Sequence, residues 1–273
     1  MRRQTVRKIL IVATAIFSIT VAVGLSMVFS IQATYWESER LHSTLAQHLT
    51  FDLNSDPSSS PGLVSEQPQQ LLLPEEETFT LPDHIALPTV DFDALGEINP
   101  DIVGWILLEG TQINYPVVQG RDNAHYLNHL FDGRRNATGA IFVDSYNQPG
   151  FTDRNTIIYG HHMRDGSMFA VLERYRGQYF FNAHPWIFLL TPERNYVIQL
   201  VAGYTSNVQS SAWRLDFADD VEVEAWINER RERSDFVSDA EVRPTDRFVT
   251  LSTCSWAFNN ARYVVVGRLI PLA

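Results

Sequence analysis

The sequence predicts a mainly β domain whose strands close, or nearly close, into a barrel with a few peripheral helices, preceded by an N-terminal membrane-spanning helix and a linker. Three observations predict it. Short runs rich in β-branched and aromatic residues recur from Gly104 to Ile270 with turn residues between them, which is the pattern of many short strands in an all-β fold. Helical patterns in that region are few. An apolar run of 23 residues, Ile9 to Ile31, opens the chain without one charged residue.

Arg2, Arg3, Arg7 and Lys8 precede the apolar run. At about 1.5 Å per residue, a helix of that length reaches across the roughly 30 Å hydrocarbon core of a bilayer. The cationic flank then stays in the cytoplasm. Residues 1–8 are expected to be a basic cytoplasmic tail and residues 9–31 a single-pass signal-anchor. A cleaved signal peptide is the competing reading. Against it, the run is longer than the usual signal core of about 7–15 residues, and Ser30-Ile31-Gln32-Ala33-Thr34-Tyr35-Trp36 offers no Ala-x-Ala site. Tyr35 and Trp36 suit the outer membrane interface, where amphipathic aromatics are favoured.

With that topology, residues 32–89 are expected to form an extracellular spacer and residues 90–273 the folded domain. From Asn54 to Pro88 the chain is rich in Ser, Pro, Gln and Glu. Such composition buries too little apolar area to offset the entropy of ordering, so a mobile or extended linker is expected. No Lys or Arg occurs between Arg40 and Arg121, whereas Glu75-Glu76-Glu77 lies inside that interval. The formal net charge of −11 argues against general nucleic-acid binding. One Cys in 273 residues forms no internal disulfide, so stability rests on the core.

The domain opens with a short helix over Asp91–Asn99, before Pro100. Gly104–Leu108 and Ile113–Val118 read as strands around the turn Glu109-Gly110-Thr111, and Ala140–Asp144, Asn155–Tyr159, Trp186–Leu190 and Tyr196–Tyr204 as further strands. Asp219 or Asp220 caps a helix over Val221–Arg233, with Val223, Trp226 and Ile227 on one face. His125 and His129 have the i, i+4 spacing of a zinc pair, yet the acidic residue of His-Glu-x-x-His and a third ligand are missing. Packing of Tyr126 and Leu127 on the barrel is the expected role of that segment, and no metal is expected.

The chemistry concentrates at the end of the chain. Phe248–Ser252 and Tyr263–Val266 read as strands, with Asn259-Asn260 supplying the turn. Cys254 then ends one strand and Arg262 begins the next, across a seven-residue loop, Ser255–Ala261. A thiolate is the reactive form of Cys, and nearby positive charge lowers a free thiol pKa of about 8.5. A guanidinium never loses its charge, and its fork of donors suits a developing oxyanion. The proton acceptor is sought at Tyr159-Gly160-His161-His162-Met163, where an apolar strand runs into a His pair. A lone Cys is more often a small core residue, so the order His, Cys, Arg, each at a strand end, carries the argument.

Tyr159-Gly160-His161-His162-Met163 followed by Asp165-Gly166-Ser167-Met168-Phe169, then Thr250-Leu251-Ser252-Thr253-Cys254 and Ala261-Arg262-Tyr263-Val264-Val265, resemble the signature segments of sortases, class B in particular. The resemblance extends to Asn99–Trp105 and to Tyr126–His129. It implies a sortase-type barrel in a Gram-positive envelope, with the extra helix of class B at Val221–Arg233. It implies a cysteine transpeptidase that cleaves an Asn-Pro-x-Thr-like sorting signal of secreted proteins and transfers them to a peptidoglycan amine, with no cofactor. The roles it implies are nucleophile for Cys254, acid and base for His161, carbonyl and oxyanion ligand for Arg262, and groove-lining for Ser252 and Thr253. Two positions depart from relatives: His162 stands where Asn is frequent, leaving His162 as an alternative proton carrier, and Ser255-Trp256 stand where an acid often follows the Cys. A wall-associated cysteine hydrolase and a membrane-tethered binding module with a structural Cys remain the other two readings.

Overall fold

The computed structural model describes residues 2–51, 77–82, 85–255, 257 and 259–273. Most of the stretch expected as a linker, Asp56-Pro57-Ser58-Ser59-Ser60-Pro61-Gly62 included, lies outside the described residues. The chain divides into two compact units, Met1–Ser43 and Thr44–Ala273. The first is nearly all α1 (Arg2–Leu45). Within it, a stretch beginning at Ala13 is long and apolar enough to cross a membrane, with a mean hydropathy of 2.0, and Ile16, Phe17, Leu25 and Phe29 are exposed on it.

The second unit starts earlier than composition alone indicates. β1 (Leu49–Thr50) pairs antiparallel with β2 (Thr89–Val90). Phe79 bridges to Leu272 and meets Trp186 edge-on at 5.5 Å, and the Glu77 carboxylate pairs with Arg268. Both flanks of the spacer therefore belong to the folded unit, because each supplies an apolar side chain or a backbone ladder that the barrel completes.

α2 (Phe92–Ile98) is capped by Asp91, whose carboxylate accepts from the Ala94 amide at 3.0 Å. Eight strands then close a barrel in the order β10-β8-β7-β3-β4-β5-β6-β9. They are β3 (Ile102–Leu107), β4 (Asn114–Val118), β5 (Ile141–Val143), β6 (Asn155–Tyr159), β7 (Trp186–Leu190), β8 (Tyr196–Asn207), β9 (Phe248–Cys254) and β10 (Ala261–Pro271). Two neighbour pairs, β4 with β5 and β6 with β9, run parallel and the others antiparallel. β8 outlasts its expected end at Tyr204. Thr205, Ser206 and Asn207 lack an apolar signal, but they pair with Tyr263, Arg262 and Ala261 and so stay in the ladder.

The period of two sorts each strand between two cores. Val249 and Leu251 join Ile106, Ile158, Ile198 and Val265 in the main core. Phe248 turns outward to Trp226, Ile227, Val264 and Val266 under α4 (Asp220–Arg233). Asp219 caps α4, accepting from the Glu222 amide at 2.9 Å. A 3-10 helix, Ala170–Arg176, and α3 (Gln178–Ala183) follow β6, and Leu172 and Tyr175 sink that helix into the main core. Sequence patterning had marked neither.

Candidate active site

Backbone register alone brings the three candidates together. Across β9 and β10, Cys254 lies directly opposite Arg262, so both side chains share one face with Cβ atoms about 4.5–5.5 Å apart. Parallel pairing of β6 with β9 sets Tyr159 against Ser252, and the Gly160 amide donates to the Ser252 carbonyl at 3.1 Å. Two residues further on each strand come His161 and Cys254. The connecting loop spans residues 255–260, one fewer than expected, because Ala261 joins β10 and its carbonyl accepts from the Ser255 amide at 3.0 Å. Asn260 closes the turn at φ 61°, a left-handed conformation that Asn tolerates better than most side chains.

The His161 imidazole stands close enough to the Cys254 thiol for each to shift the pKa of the other. Its Nε2 lies 2.8 Å from the Leu127 carbonyl oxygen, which can only accept, so Nε2 carries a proton and Nδ1 is left for the sulfur. The His161 imidazole holds the Cys254 pKa below its ordinary value against the opposing effect of burial, and the Arg262 charge acts in the same downward direction. Cys254 raises the His161 pKa; burial opposes and the Leu127 carbonyl assists. Each group thus favours the charged form of the other.

His162 is placed differently. Its Nδ1 donates to the Cys254 carbonyl oxygen at 2.9 Å, so it grips the backbone of the residue whose thiol His161 touches. Arg262 donates to the Ala261 carbonyl at 3.0 Å. Its charge also reaches Tyr159, whose phenol donates to Asp144 at 2.8 Å; burial first and Asp144 second raise the Tyr159 pKa, and Arg262 opposes them. Ser252 and Thr253 are both only 2% exposed. Alternation puts Ser252 on the face of Cys254, whereas Thr253 shares the face of Leu251 in the main core, and its Oγ1 has no hydrogen-bond partner among the described residues.

A cavity of about 470 Å³ opens beside the site, lined by Gln112, His162, Met163, Arg164, Val171 and Arg174 among others. Cys254, His161 and Arg262 are not among its lining residues. His125 and His129 stack face to face at 4.1 Å between ring centroids, in and just beyond the short 3-10 helix His125–Leu127. Among the described residues no group of three or more His, Cys, Asp or Glu side chains is arranged to hold a metal ion. Tyr126 is buried as expected, but Leu127 is 39% exposed and serves through its carbonyl instead. That carbonyl and Asp144 carry no local sequence signal, because the side chains they bind, His161 and Tyr159, lie well apart from them in sequence.

Comparison with known proteins gives a family for this geometry. A family model described as a sortase domain matches residues 106–270. Sortase B of Staphylococcus aureus (strain NCTC 8325 / PS 47) is 39% identical over 184 residues, covering 67% of this chain and 75% of that protein. Sortase B of Listeria monocytogenes serovar 1/2a is 35% identical over 178 residues, covering 64% of this chain and 72% of that protein. A solved Staphylococcus aureus sortase B–substrate complex superposes with a TM-score of 0.64 at 39% identity, covering 67% of this chain and 85% of that one.

Proposed function

This chain belongs to the sortase family and to its class B, a family of transpeptidases, and on that premise we propose that it is a membrane-anchored cysteine transpeptidase acting through Cys254, His161 and Arg262. The observation that carries the reading is the strand register that sets Arg262 directly across the ladder from Cys254 and ends β6 beside the same strand, just before His161. The substrate is a secreted protein with a C-terminal sorting signal, Asn-Pro-x-Thr-like by class. The acceptor is an amine of peptidoglycan or its precursor.

The Cys254 thiolate adds to the carbonyl carbon of the scissile bond. The carbonyl electrons move onto oxygen, and the Arg262 guanidinium donates to the oxyanion. As the C–N bond breaks, His161 gives its proton to the departing amine and a thioester remains. An incoming amine then attacks the thioester and loses a proton to His161. The C–S bond breaks, a new amide forms, and the thiolate–imidazolium pair is restored. A positioned acid–base group typically contributes about 10²–10⁴-fold, and one oxyanion donor about 10²–10³-fold. Cys254 exceeds either, since no acyl-enzyme forms without it. The apolar N-terminal helix anchors the chain, its basic tail cytoplasmic and its barrel outside the cell membrane.

The test is to incubate the full-length chain in detergent with a library of quenched sorting-signal peptides, with and without amine acceptors, following products and adducts by mass spectrometry. Acyl adducts on Cys254 that are lost in His161→Ala and Arg262→Ala, with amine-dependent product, are expected. A folded chain that forms no adduct across the library refutes the transpeptidase assignment, and products that ignore added amine turn it to hydrolysis.

A further inference from the structure

Cys254 is fastened to the 3-10 helix Ala170–Arg176, which has no part in the reaction as proposed. The next residue, Ser255, is buried, and its hydroxyl donates to Glu173 Oε1 at 2.6 Å, a length typical of a hydroxyl bound to an ionised carboxylate. Arg176 donates to the same Glu173 oxygen at 3.3 Å and to Ser255 Oγ at 3.2 Å. The second Glu173 oxygen lies 4.0 Å from His162 Nδ1, the atom that donates to the Cys254 carbonyl at 2.9 Å. One carboxylate thus binds a hydroxyl and a guanidinium, lies near an imidazole, and holds the nucleophile's backbone at the residue after it. The charged and titratable groups around Glu173 are Arg176 on its own helix, His162 past the end of β6 and, across Arg176, Asp235 at 3.9 Å from the guanidinium and the Tyr263 ring at 4.7 Å.

We propose that Glu173 is a positioning residue: through Ser255 it fixes the Cys254 backbone so that the thiol stays beside His161 and Arg262. The proposal rests on the transpeptidase reading for its effect on turnover. Without the clamp, Ser255 keeps its amide bond to the Ala261 carbonyl but loses its side-chain anchor, and the distance from sulfur to imidazole is set less tightly. Such looseness at a reacting atom is costly, since a displacement of about 1 Å can cost about a hundredfold in rate.

Two effects of removing Glu173 have opposite signs, and the experiment uses them. In the full-length chain in detergent, the rate of Cys254 alkylation by iodoacetamide is followed against pH. Loss of a nearby negative charge, by itself, moves the alkylation midpoint of Glu173→Ala down. Loss of positioning moves it up, because contact with His161 is the main cause of the lowered thiol. A rise is expected in Glu173→Ala and in Ser255→Ala, with the double variant no worse than the more affected single one. Glu173→Gln, which keeps an acceptor oxygen for Ser255, recovers most of the shift. For peptide cleavage, kcat falls by about ten- to a hundredfold with KM unchanged. A midpoint that falls or stays put in Glu173→Ala, or effects of the two substitutions that simply add, overturns the proposal. Should Glu173→Ala show no cooperative melting, Ser255→Ala carries the same expected rise by itself. Failure of the wild type to cleave any peptide sinks the transpeptidase reading and leaves the alkylation test in force.

Discussion

At the scale of single residues, the pair His161–Cys254 dictates a pH signature. The folded environment lowers the thiol and raises the imidazole, so the thiolate persists to lower pH than it does in the unfolded chain. Alkylation of the wild type should therefore have its midpoint below that of the unfolded chain, and His161→Gln should move it upward; an unmoved midpoint would mean that the imidazole does not govern the sulfur. Arg262 separates charge from shape. Arg262→Ala should raise the thiol midpoint and lower kcat by about 10²–10³-fold. Arg262→Lys should restore the midpoint through its charge but not the turnover, because an ammonium lacks the planar fork. Equal turnover of Arg262→Lys and wild type would remove the geometric argument for the guanidinium.

Elements decide where those side chains stand. The strand β6 delivers His161, but the ring is oriented by the Leu127 carbonyl, which the short helix His125–Leu127 presents. Gly139 makes that approach possible. It sits at φ +60°, and a Cβ there would lie 2.5 Å from the Tyr126 oxygen, 2.9 Å from the Leu127 oxygen and 3.1 Å from His161 Cδ2. Gly139→Ala combines backbone strain of about 1–3 kcal/mol with displacement of the carbonyl that holds His161. The expected outcome is a lower melting temperature together with a raised alkylation midpoint. Wild-type values for both would exclude the Leu127 carbonyl as the orienting group.

For the molecule as a whole, barrel closure sets the site, and the apolar N-terminal helix sets an expectation of membrane association. The β6–β9 seam is backed by Asn155, which is fully buried. Its side chain donates to the Arg214 carbonyl and accepts from Thr250 Oγ1, each at 2.9 Å. Asn155→Leu strands the Thr250 hydroxyl and the Arg214 carbonyl, and a buried unsatisfied group costs about 1–3 kcal/mol. Urea unfolding should show that loss, with the site loosened because the same seam sets His161 beside Cys254; undiminished stability would mean that the seam tolerates the lost bonds. The exposed apolar surface of α1 leads to a separate expectation. The chain should remain in the membrane fraction through alkaline carbonate extraction, and its release to the supernatant would rule out the anchor.

Most of the barrel strands and the candidate site residues are legible in local sequence. β-branched runs marked the barrel strands, Asp219 or Asp220 marked a helix start, an uncharged apolar run marked a candidate membrane span, and strand ends marked Cys254, Arg262 and the His pair. All of these are local signals of period, capping or turn chemistry, readable within a dozen residues. Tertiary structure alone decided which His touches the thiol and which touches the backbone, since His161 and His162 are neighbours in sequence and differ only by the face they take after β6. It alone brought Glu173 to Ser255 across 82 positions, extended β8 to Asn207 and drew Phe79 onto the barrel. Those outcomes follow from parallel register and from packing between distant segments, and local composition contains no term for either.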